Sequence, residues 1–230
     1  MADDGVFLIT GASSGLGSAT ARAAAAQGWR LVLAARSLHK LQALAAELGG
    51  PSRAVAVECD VTDWADQQAA VVLCQEHFGR LDAVWANAGF GAQRSFLAES
   101  VEHWREMVLT NVYGAALTIR ATMPALTESQ GHLLLTGSAA GRRPLAGSLY
   151  SATKHAVHAL GESARQELSG TGVRVTVIAP GVVDTPFFEI VPLDAPLEPE
   201  DVARAVMYAL SQPAHVDVNE ILVRPTAQEL

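Results

Sequence analysis

Tyr150 and Lys154 lie four residues apart in the stretch Tyr150-Ser-Ala-Thr-Lys154. Positions four apart share one face of a helix, so the phenol and the ammonium would project side by side. A neighbouring ammonium favours the phenolate, which brings a group with an ordinary pKa of about 10 closer to working as an acid or base near neutrality. The chain has only two lysines and three tyrosines, which makes a chance pairing less common. The spacing predicts proton-transfer chemistry.

Ser138 supplies a hydroxyl twelve positions before Tyr150. It follows Leu133-Leu-Leu-Thr-Gly, and this apolar run predicts a buried strand. A strand that delivers a hydroxyl and a helix that delivers a Tyr/Lys pair form a layout suited to proton transfer at a carbonyl.

A glycine-rich turn lies near the start of the chain, in Thr10-Gly-Ala-Ser-Ser-Gly-Leu-Gly17. It follows the apolar run Val6–Thr10 and precedes an Ala-rich helix that we expect to reach about Gln27. Glycines permit a tight turn and the close approach of a diphosphate, and the helix N-terminus offers free N–H groups. An ordinary strand-to-helix turn is the alternative for the glycines alone. The candidate phosphate-binding residues are Gly11, Ser13, Ser14, Gly15, Leu16 and Gly17.

The second predicted strand, Leu31–Ala35, ends at Arg36. In dinucleotide-binding folds this strand end faces the adenosine ribose, where a carboxylate binds the 2′-hydroxyl and an arginine accommodates a 2′-phosphate. No carboxylate lies near Arg36 in the sequence, so NADP(H) is favoured over NAD(H). The alternative is a solvated arginine at a helix start.

Short apolar runs alternate with helical stretches along the whole chain. The other predicted strands are Ala54–Glu58, Asp82–Ala86, His132–Gly137, Val173–Ile178 and Glu220–Val223. This alternation predicts a single α/β domain over residues 1–230, with a Rossmann-type, doubly wound parallel sheet of about seven strands.

Polar residues follow two of these strands. Asp60 and Val61 come after the third strand, and Asn87-Ala-Gly89 comes after the fourth. Such residues fit a ligand crevice at the carboxyl ends of the strands, although Asn87-Ala-Gly89 alone is equally a plain turn. Asn111 lies inside a predicted helix that starts at about Val101. Because Asn competes for backbone hydrogen bonds in helices, we expect a structural or proton-relay reason for it.

Composition narrows the classes of function. A net charge of −8 and a pI near 5.3 argue against nucleic acid or an anionic membrane as the main partner. No apolar stretch approaches the roughly 20 residues of a transmembrane helix, and the first residues lack the features of a signal peptide. Cys59 and Cys74 predict buried free thiols in a reducing compartment. We therefore expect a cytoplasmic protein.

These motifs together resemble those of the short-chain dehydrogenase/reductase family along nearly the whole chain. Each motif is weak alone, but seven in the family's order are highly specific. In chain order they are Thr10 to Gly17, Asp60-Val61, Asn87-Ala-Gly89, Asn111, Ser138, Tyr150 with Lys154, and Pro180-Gly181 through Thr185.

The resemblance implies a catalytic role for four residues. Tyr150 would be the general acid/base, and Ser138 would orient and polarise the substrate carbonyl. Lys154 would bind the nicotinamide ribose and lower the pKa of Tyr150. Asn111 would hold a water that links Lys154 to solvent.

The resemblance also implies contacts for the cofactor. The glycine turn would wrap the diphosphate, and Asp60 and Val61 would contact adenine. Arg36 stands where NADP-preferring members carry a basic residue, although Ser14 occupies a second place where such members can carry one. The residues lining the rest of the cofactor site would be Asn87, Ala88, Gly89, Tyr150, Lys154, Pro180, Gly181, Val183 and Thr185.

The C-terminal stretch from Pro213 to Pro225 is similar to that of NADP-dependent 3-hydroxy acid and serine dehydrogenases. This favours a small ketone, aldehyde, or hydroxy or oxo acid as the substrate. The chain departs from many members in two places. The spacing between Ser138 and Tyr150 is one residue shorter, and the segment after Thr185 is short, which predicts a compact or fairly open site.

Candidate substrate-contacting residues lie in the loops. Arg142 and Arg143 could bind a substrate carboxylate, or simply be solvated. Phe187 and Phe188 could form walls of the substrate site, or only anchor a lid. Phe90 is a further candidate. His155 and His158 have no third ligand at metal spacing, so no metal site is predicted.

The resemblance implies a homodimer or homotetramer, because helices corresponding to 101–129 and 148–169 pair across a two-fold axis in this family. Two alternatives to a small-molecule oxidoreductase remain. One is an NADP(H)-binding sensor or scaffold without turnover. The other is a reductase of carrier-bound 3-oxoacyl groups, for which Arg94, Arg142 and Arg143 are the candidate docking residues.

Overall fold

The computed structural model describes residues 4–187 and 191–228. Within them, seven strands form one sheet in which every pairing is parallel, and the strand order is β3-β2-β1-β4-β5-β6-β7. The strands are β1 (Val6–Thr10), β2 (Arg30–Ala35), β3 (Ala54–Glu58), β4 (Ala83–Ala86), β5 (His132–Thr136), β6 (Arg174–Pro180) and β7 (Glu220–Val223). The predicted Rossmann-type α/β fold is confirmed.

The strand order reverses between β1 and β4, which are neighbours in the sheet but are separated by two strands in the chain. In doubly wound sheets the ligand crevice opens at this point, outside the carboxyl ends of the strands. The ends of β1, β4 and β5 carry Thr10, Asn87 and Thr136, so the order of the strands brings these three residues to one edge.

Strand β1 explains why the core divides into two layers. All five of its residues are buried. Val6 and Leu8 belong to the core on one face of the sheet, whereas Phe7 and Ile9 belong to the core on the other. Successive side chains of a strand point to opposite faces, so an uninterrupted apolar run fits a strand that is covered on both sides.

Helices cover both faces of the sheet. Residues of α3, α5 and α6 pack into one core, and residues of α1, α2 and α7 pack into the other. None of the described helices combines the length and apolar character needed to cross a bilayer. The helices are α1 (Gly15–Ala26), α2 (Leu38–Glu47), α3 (Trp64–Phe78), α4 (Val101–Val108), α5 (Ala115–Ser129), α6 (Leu149–Glu167) and α7 (Pro199–Ser211).

Local signals account for several helix boundaries. Asp63 caps α3, because its carboxylate accepts hydrogen bonds from the N–H groups of Ala65 and Asp66. Gly79 ends α3 in a left-handed conformation, with φ 76°. Helices α4 and α5 run into each other through a π-helical segment, Leu109–Gly114, which contains Asn111. Asn111, an unfavourable residue inside a regular helix, thus lies in an irregular segment.

Candidate active site

The glycine turn after β1 brings backbone against backbone. Gly11 has φ 66°, and a Cβ atom there would lie 2.9 Å from the Cα of Ala88. A Cβ atom on Gly17 would overlap the Gly11 carbonyl oxygen and lie 2.8 Å from the Cα of Ala12. Side chains at these two positions are thus excluded by backbone atoms, which cannot move aside without changing the turn.

Helix α1 begins directly from this turn. Ser14 is its N-cap residue, but the Ser14 side chain makes no capping hydrogen bond, and no acidic residue lies in the first turn. The first N–H groups of α1 therefore lack a side-chain acceptor, and the positive end of the helix dipole is not neutralised locally. This cradle fits a diphosphate.

A polar network joins the ends of β1, β4 and β5. The Thr10 hydroxyl oxygen accepts hydrogen bonds from the N–H groups of Asn87, at 2.9 Å, and Ala88, at 3.2 Å. The Asn87 side chain donates to the Thr10 carbonyl at 3.0 Å and accepts from the Thr136 hydroxyl at 3.1 Å. These bonds fix the floor of the crevice. Thr136 was not singled out from the sequence.

Lys154 reaches this floor from α6. Its Nζ donates to the Thr136 carbonyl at 2.7 Å, and the side chain is buried. Burial disfavours the charged form, and it lowers the pKa of Lys154 from 10.5 to about 8. The Nζ atom lies 5.7 Å from the centre of the Tyr150 ring, so the two side chains are neighbours, as their spacing predicts.

Tyr150 departs from the prediction in one respect. Burial raises the pKa of the Tyr150 phenol to about 12, and a hydrogen bond with Ser138 opposes this rise only in part. In the protein alone the pKa of Tyr150 therefore lies above its ordinary value rather than below it, because the loss of hydration outweighs the hydrogen bond with Ser138. The phenol therefore keeps its proton at neutral pH.

Three groups contact the Ser138 hydroxyl. The Ser138 Oγ accepts a hydrogen bond from the Ala140 N–H at 3.1 Å, and it donates to the Pro180 carbonyl at 3.5 Å, which is a weak contact. The hydrogen bond to Tyr150 is the third contact. The end of β5, the start of α6 and the end of β6 thus meet at this hydroxyl.

Asn111 is 2 % exposed, and protein groups bind both ends of its amide. The side-chain oxygen accepts from the Phe90 N–H at 3.0 Å, and the nitrogen donates to the Phe90 carbonyl at 2.9 Å and to the Thr153 hydroxyl at 3.2 Å. A Cβ atom on Gly89 would lie 2.9 Å from the Asn111 side-chain oxygen and 3.7 Å from the Lys154 Nζ. Asn111 is therefore a neighbour of Lys154 and fixes the start of the loop after Gly89.

Arg36, Asp60 and Val61 line the far end of the cleft. Arg36 is exposed, and its guanidinium forms no hydrogen bond or ion pair with the described residues. The Asp60 carboxylate instead accepts from the Thr62 N–H and hydroxyl, at 2.9 and 2.7 Å. These bonds, and to a smaller extent the charge of Arg36, lower the pKa of Asp60.

The segment after β6 forms the opposite wall. The Gly181 N–H donates to the Val223 carbonyl at 2.7 Å, and Val183 is buried and bridges to Leu197. The Phe187 ring meets the Tyr150 ring edge-on, with 5.4 Å between the ring centres.

These groups surround one cleft of about 1080 Å³. Asn111 and Gly17 lie behind its wall, whereas Arg142 points elsewhere, as described below. The predicted residues that line the cleft are Gly11, Ser13, Ser14, Gly15, Leu16, Arg36, Asp60, Val61, Asn87, Ala88, Gly89, Phe90, Ser138, Tyr150, Lys154, Pro180, Gly181, Val183, Thr185 and Phe187.

Arg142 does not line the cleft, so its predicted contact with the substrate was wrong. Its guanidinium is ion-paired with Glu220 at the start of β7, and its Nε donates to the Glu220 carboxylate at 2.6 Å. The neighbouring Arg143 is exposed and lines the rim of the cleft. Phe188 lies outside the described residues.

Two histidines of α6 have protein partners. His155 contacts the Ser151 carbonyl at 2.8 Å, and His158 contacts the Ser138 carbonyl at 3.3 Å while facing Glu220 on its other side. Among the described residues, no group of three or more His, Cys, Asp or Glu side chains could hold a metal ion.

Thr136, Thr153 and Arg224 contribute to the site but were not predicted. Thr136 could have been found from its place at a strand end, next to Ser138. Thr153 lies inside the Tyr150/Lys154 motif. Arg224 follows the last strand and lines the cleft, and no local sequence signal marks it.

Comparisons with known proteins agree with this fold. An uncharacterized oxidoreductase of Staphylococcus aureus is 42% identical over 226 residues, which cover 96% of this chain and 97% of that protein. An alcohol dehydrogenase from the archaeon Thermococcus sibiricus, complexed with 5-hydroxy-NADP, has a TM-score of 0.90 at 33% identity, with 98% of each chain covered.

Two further solved structures differ in cofactor. The closed form of a serine dehydrogenase complexed with NADP+ has a TM-score of 0.92 at 32% identity, covering 98% of this chain and 96% of that chain. A 3-ketoacyl-(acyl-carrier-protein) reductase from Brucella melitensis complexed with NADH has a TM-score of 0.87 at 29% identity, covering 95% and 96%.

The family model for short chain dehydrogenases matches residues 5–194. This range contains the glycine turn, the strand-end network, Ser138, Tyr150 and Lys154. The chain belongs to the short-chain dehydrogenase family of oxidoreductases.

Proposed function

We propose that this protein is an NADP(H)-dependent oxidoreductase that interconverts a carbonyl and a secondary alcohol by hydride transfer. The observation that carries the proposal is the meeting of Ser138, Tyr150 and Lys154 in one cleft beside a cradle for a diphosphate. The bound nicotinamide supplies the hydride in reduction and accepts it in oxidation.

In this proposal Ser138 and Tyr150 act on the carbonyl oxygen. Ser138 donates a hydrogen bond to that oxygen, and Tyr150 protonates it as negative charge develops. A phenol whose pKa is raised to about 12 keeps its proton at neutral pH, so it is ready to act as the acid in reduction. Oxidation reverses these steps, with the Tyr150 phenolate as the base.

Lys154 stabilises the phenolate that forms. Its pKa of about 8 keeps most of the population charged at pH 7, and burial strengthens the attraction between the ammonium and the phenolate. We assign Lys154 a second role, in binding the nicotinamide ribose. Asn111 would hold the water that returns protons to Lys154. Because the Asn111 amide is bound at both ends, its backbone carbonyl is the group proposed to hold that water.

Arg36 supports a preference for NADP(H). At the end of β2, an exposed guanidinium that is not paired with any of the described residues suits the 2′-phosphate of the adenosine ribose. We expect Arg36→Met to weaken NADPH binding about tenfold to hundredfold and to leave NADH binding nearly unchanged. Fluorescence titration of both cofactors measures this, with Arg94→Met as the control on another cleft arginine. An equal loss for NADPH and NADH would contradict the preference.

The substrate is proposed to be a small ketone, aldehyde, or hydroxy or oxo acid. Two alternatives to a small-molecule oxidoreductase remain. A sensor or scaffold would bind NADP(H) without turnover. A reductase of carrier-bound 3-oxoacyl groups would use the exposed Arg94 and Arg143 at the rim, and changing both would then slow reduction only of the carrier-bound form.

A homodimer or homotetramer is part of this proposal. Helix α4 and the π-helical segment expose Val101, Val108, Leu109 and Tyr113, which are apolar or aromatic. A second copy of the chain would cover this surface. Analytical ultracentrifugation at micromolar concentration tests the assembly. A sedimentation profile with only a monomer would contradict it.

The deciding experiment measures initial rates of NADPH and NADH oxidation over a panel of oxo acids, ketones, aldehydes and quinones. We expect NADPH-linked turnover that Tyr150→Phe lowers by about 10²- to 10⁴-fold. Tyr208→Phe is the matched control, because Tyr208 is an exposed tyrosine on α7 and lies outside the cleft. Tight NADPH binding with no turnover, and no effect of Tyr150→Phe, would favour the sensor.

A further inference from the structure

Arg224 is a partly buried arginine that has no charged or hydrogen-bonded partner in the described part of the chain. It is the first residue after β7, and its side chain lines the cleft. Its Nη1 atom is buried, and the guanidinium forms no hydrogen bond or ion pair with the described residues. Buried charges in proteins are ordinarily paired, because an unpaired one has lost its hydration without compensation. The site therefore favours an anion that the chain does not supply.

The strand pairing places the stem of Arg224 beside Gly181, just after the end of β6. Val223 pairs with Pro180, so Arg224 comes next to Gly181. The Arg224 Cγ lies 3.0 Å from the position that a Cβ on Gly181 would take. The Pro180 carbonyl is in turn 3.5 Å from the Ser138 Oγ. The stem of Arg224 thus lies one residue away from a direct neighbour of Ser138.

The tail after Arg224 is fixed on the same wall. The Gln228 side chain accepts a hydrogen bond from the Val182 N–H at 2.8 Å, and the Gln228 N–H donates to the Pro225 carbonyl at 3.1 Å. Arg224 is therefore held between β7 on one side and this turn on the other. Because the backbone on both sides of Arg224 is fixed, little backbone freedom is lost when its guanidinium binds an anion.

The charges that line the cleft favour an anion as well. Although the chain has a net charge of −8, its cleft is lined by more cationic than acidic side chains. The cationic side chains that line it are Arg36, Arg94, Arg143, Lys154 and Arg224, and the acidic ones among the described residues are Asp60 and Glu106. A cleft with this balance concentrates anions.

We propose that Arg224 binds the carboxylate of the substrate, which makes short oxo acids and hydroxy acids the substrate class. The inference rests on the oxidoreductase function proposed above and adds the group that selects its substrate. A planar guanidinium can donate two parallel N–H groups to a carboxylate anion. A methyl ester carries no negative charge, so it cannot form this charge-assisted pair of hydrogen bonds. The phosphates of the cofactor are the other source of negative charge in this cleft.

The test compares each oxo acid with its own methyl ester. Initial rates with NADPH are measured for acetoacetate, 4-oxopentanoate and pyruvate and for the three esters, with the wild type, Arg224→Met, Arg224→Lys and Arg143→Met. We expect the wild type to prefer the acids. Arg224→Met should raise the KM for the preferred acid about tenfold or more and change that for its ester less than about threefold. Arg143→Met, which removes an exposed cation from the same cleft, should change both less than about threefold.

One further measurement separates the two sources of negative charge. The NADPH Kd, measured by fluorescence titration, should be the same within about twofold in the wild type and Arg224→Met. A large rise in that Kd, with equal losses on acids and esters, would assign Arg224 to the cofactor. Equal losses with an unchanged Kd would make its role structural. Both results overturn the inference.

The inference and the proposed function fail in different ways. Suppose that the wild type reduces esters as well as acids, in a reaction that Tyr150→Phe abolishes. That result would contradict the role of Arg224 in binding a carboxylate and would still support the oxidoreductase function. If Arg224→Met does not fold, Arg224→Lys decides, because it keeps the charge and loses the paired donors. Its KM for the acid should rise about threefold to tenfold, and no change relative to the ester would overturn the inference.

Discussion

The diphosphate end of the cleft is made of strand ends and the turn after β1, whereas the end beyond Tyr150 is made of loops and the tail after β7. At the first end, backbone atoms and buried hydroxyls contact one another directly, as at Gly11, Gly17 and Thr10. At the second end, side chains stand in or near solvent, as do Arg143 and Phe187, which is 40% exposed.

This difference separates positions that backbone packing fixes from positions where a side chain can be replaced. Backbone contacts at strand ends leave no room for a new side chain without moving the sheet. Loop side chains can be replaced while the sheet stays in place. We therefore expect substitutions at the first end to affect folding and cofactor binding together, and substitutions at the second end to affect the choice of substrate.

The largest effect is expected for Gly17→Ala. The new Cβ would overlap the Gly11 carbonyl and lie 2.8 Å from the Ala12 Cα, so the turn must open. We expect NADPH to bind about a hundredfold more weakly and the free energy of unfolding to fall by about 2 kcal/mol. Fluorescence titration and urea unfolding measure the two effects. Ser18→Ala, on the same helix, is the control, and a Gly17→Ala variant that behaves like it would contradict the rigid-turn description.

A medium effect concerns Lys154 and pH. Since the folded-state pKa of about 8 lies below the ordinary 10.5, the unfolded chain binds more protons between these values, and stability rises with pH across this window. Below pH 8 the buried Lys154 side chain is charged, so the folded protein carries the full free-energy cost of burying the ammonium. We expect the unfolding free energy of the wild type, relative to Lys154→Met, to rise by about 2 kcal/mol from pH 7 to pH 10.

Urea unfolding of both variants at several pH values checks this. Cys59 and Cys74 also have raised pKa values, of about 12, and their loss of stabilisation at high pH is common to both variants and cancels in the difference. A difference that does not change with pH would mean that Lys154 is not desolvated in the folded protein.

The smallest effect is expected for Phe187→Ala at the substrate end. The ring contacts Tyr150 edge-on, but it is partly exposed. We expect KM to change by up to about tenfold in a way that depends on the substrate, and the free energy of unfolding to change by less than about 1 kcal/mol. Phe96→Ala is the matched control, since Phe96 is exposed and packs on Trp104 outside the cleft. An equal loss of activity with every substrate would mean that Phe187 behaves like the residues of the diphosphate end instead.

The same division explains how far the sequence alone could reach. Strand ends are local signals, so the positions of Thr10, Asn87 and Ser138 followed from apolar runs and their last residues. Arg142 and Arg143 are adjacent, yet one turns to Glu220 and the other to the cleft, and the deciding partner lies far away in the chain. The pKa of Tyr150 also depends on burial by distant segments, which no local spacing encodes.

The ion pair between Arg142 and Glu220 joins the loop after Ser138 to the last strand of the sheet. A chain leaving the ribosome can form the network of Thr10, Asn87 and Thr136 long before Glu220 has been synthesised. The place for the cofactor would thus be assembled while translation is still in progress. The loop that carries Ser138 would be joined to the last strand only when β7 docks, so the two ends of the cleft would be completed at different stages of synthesis.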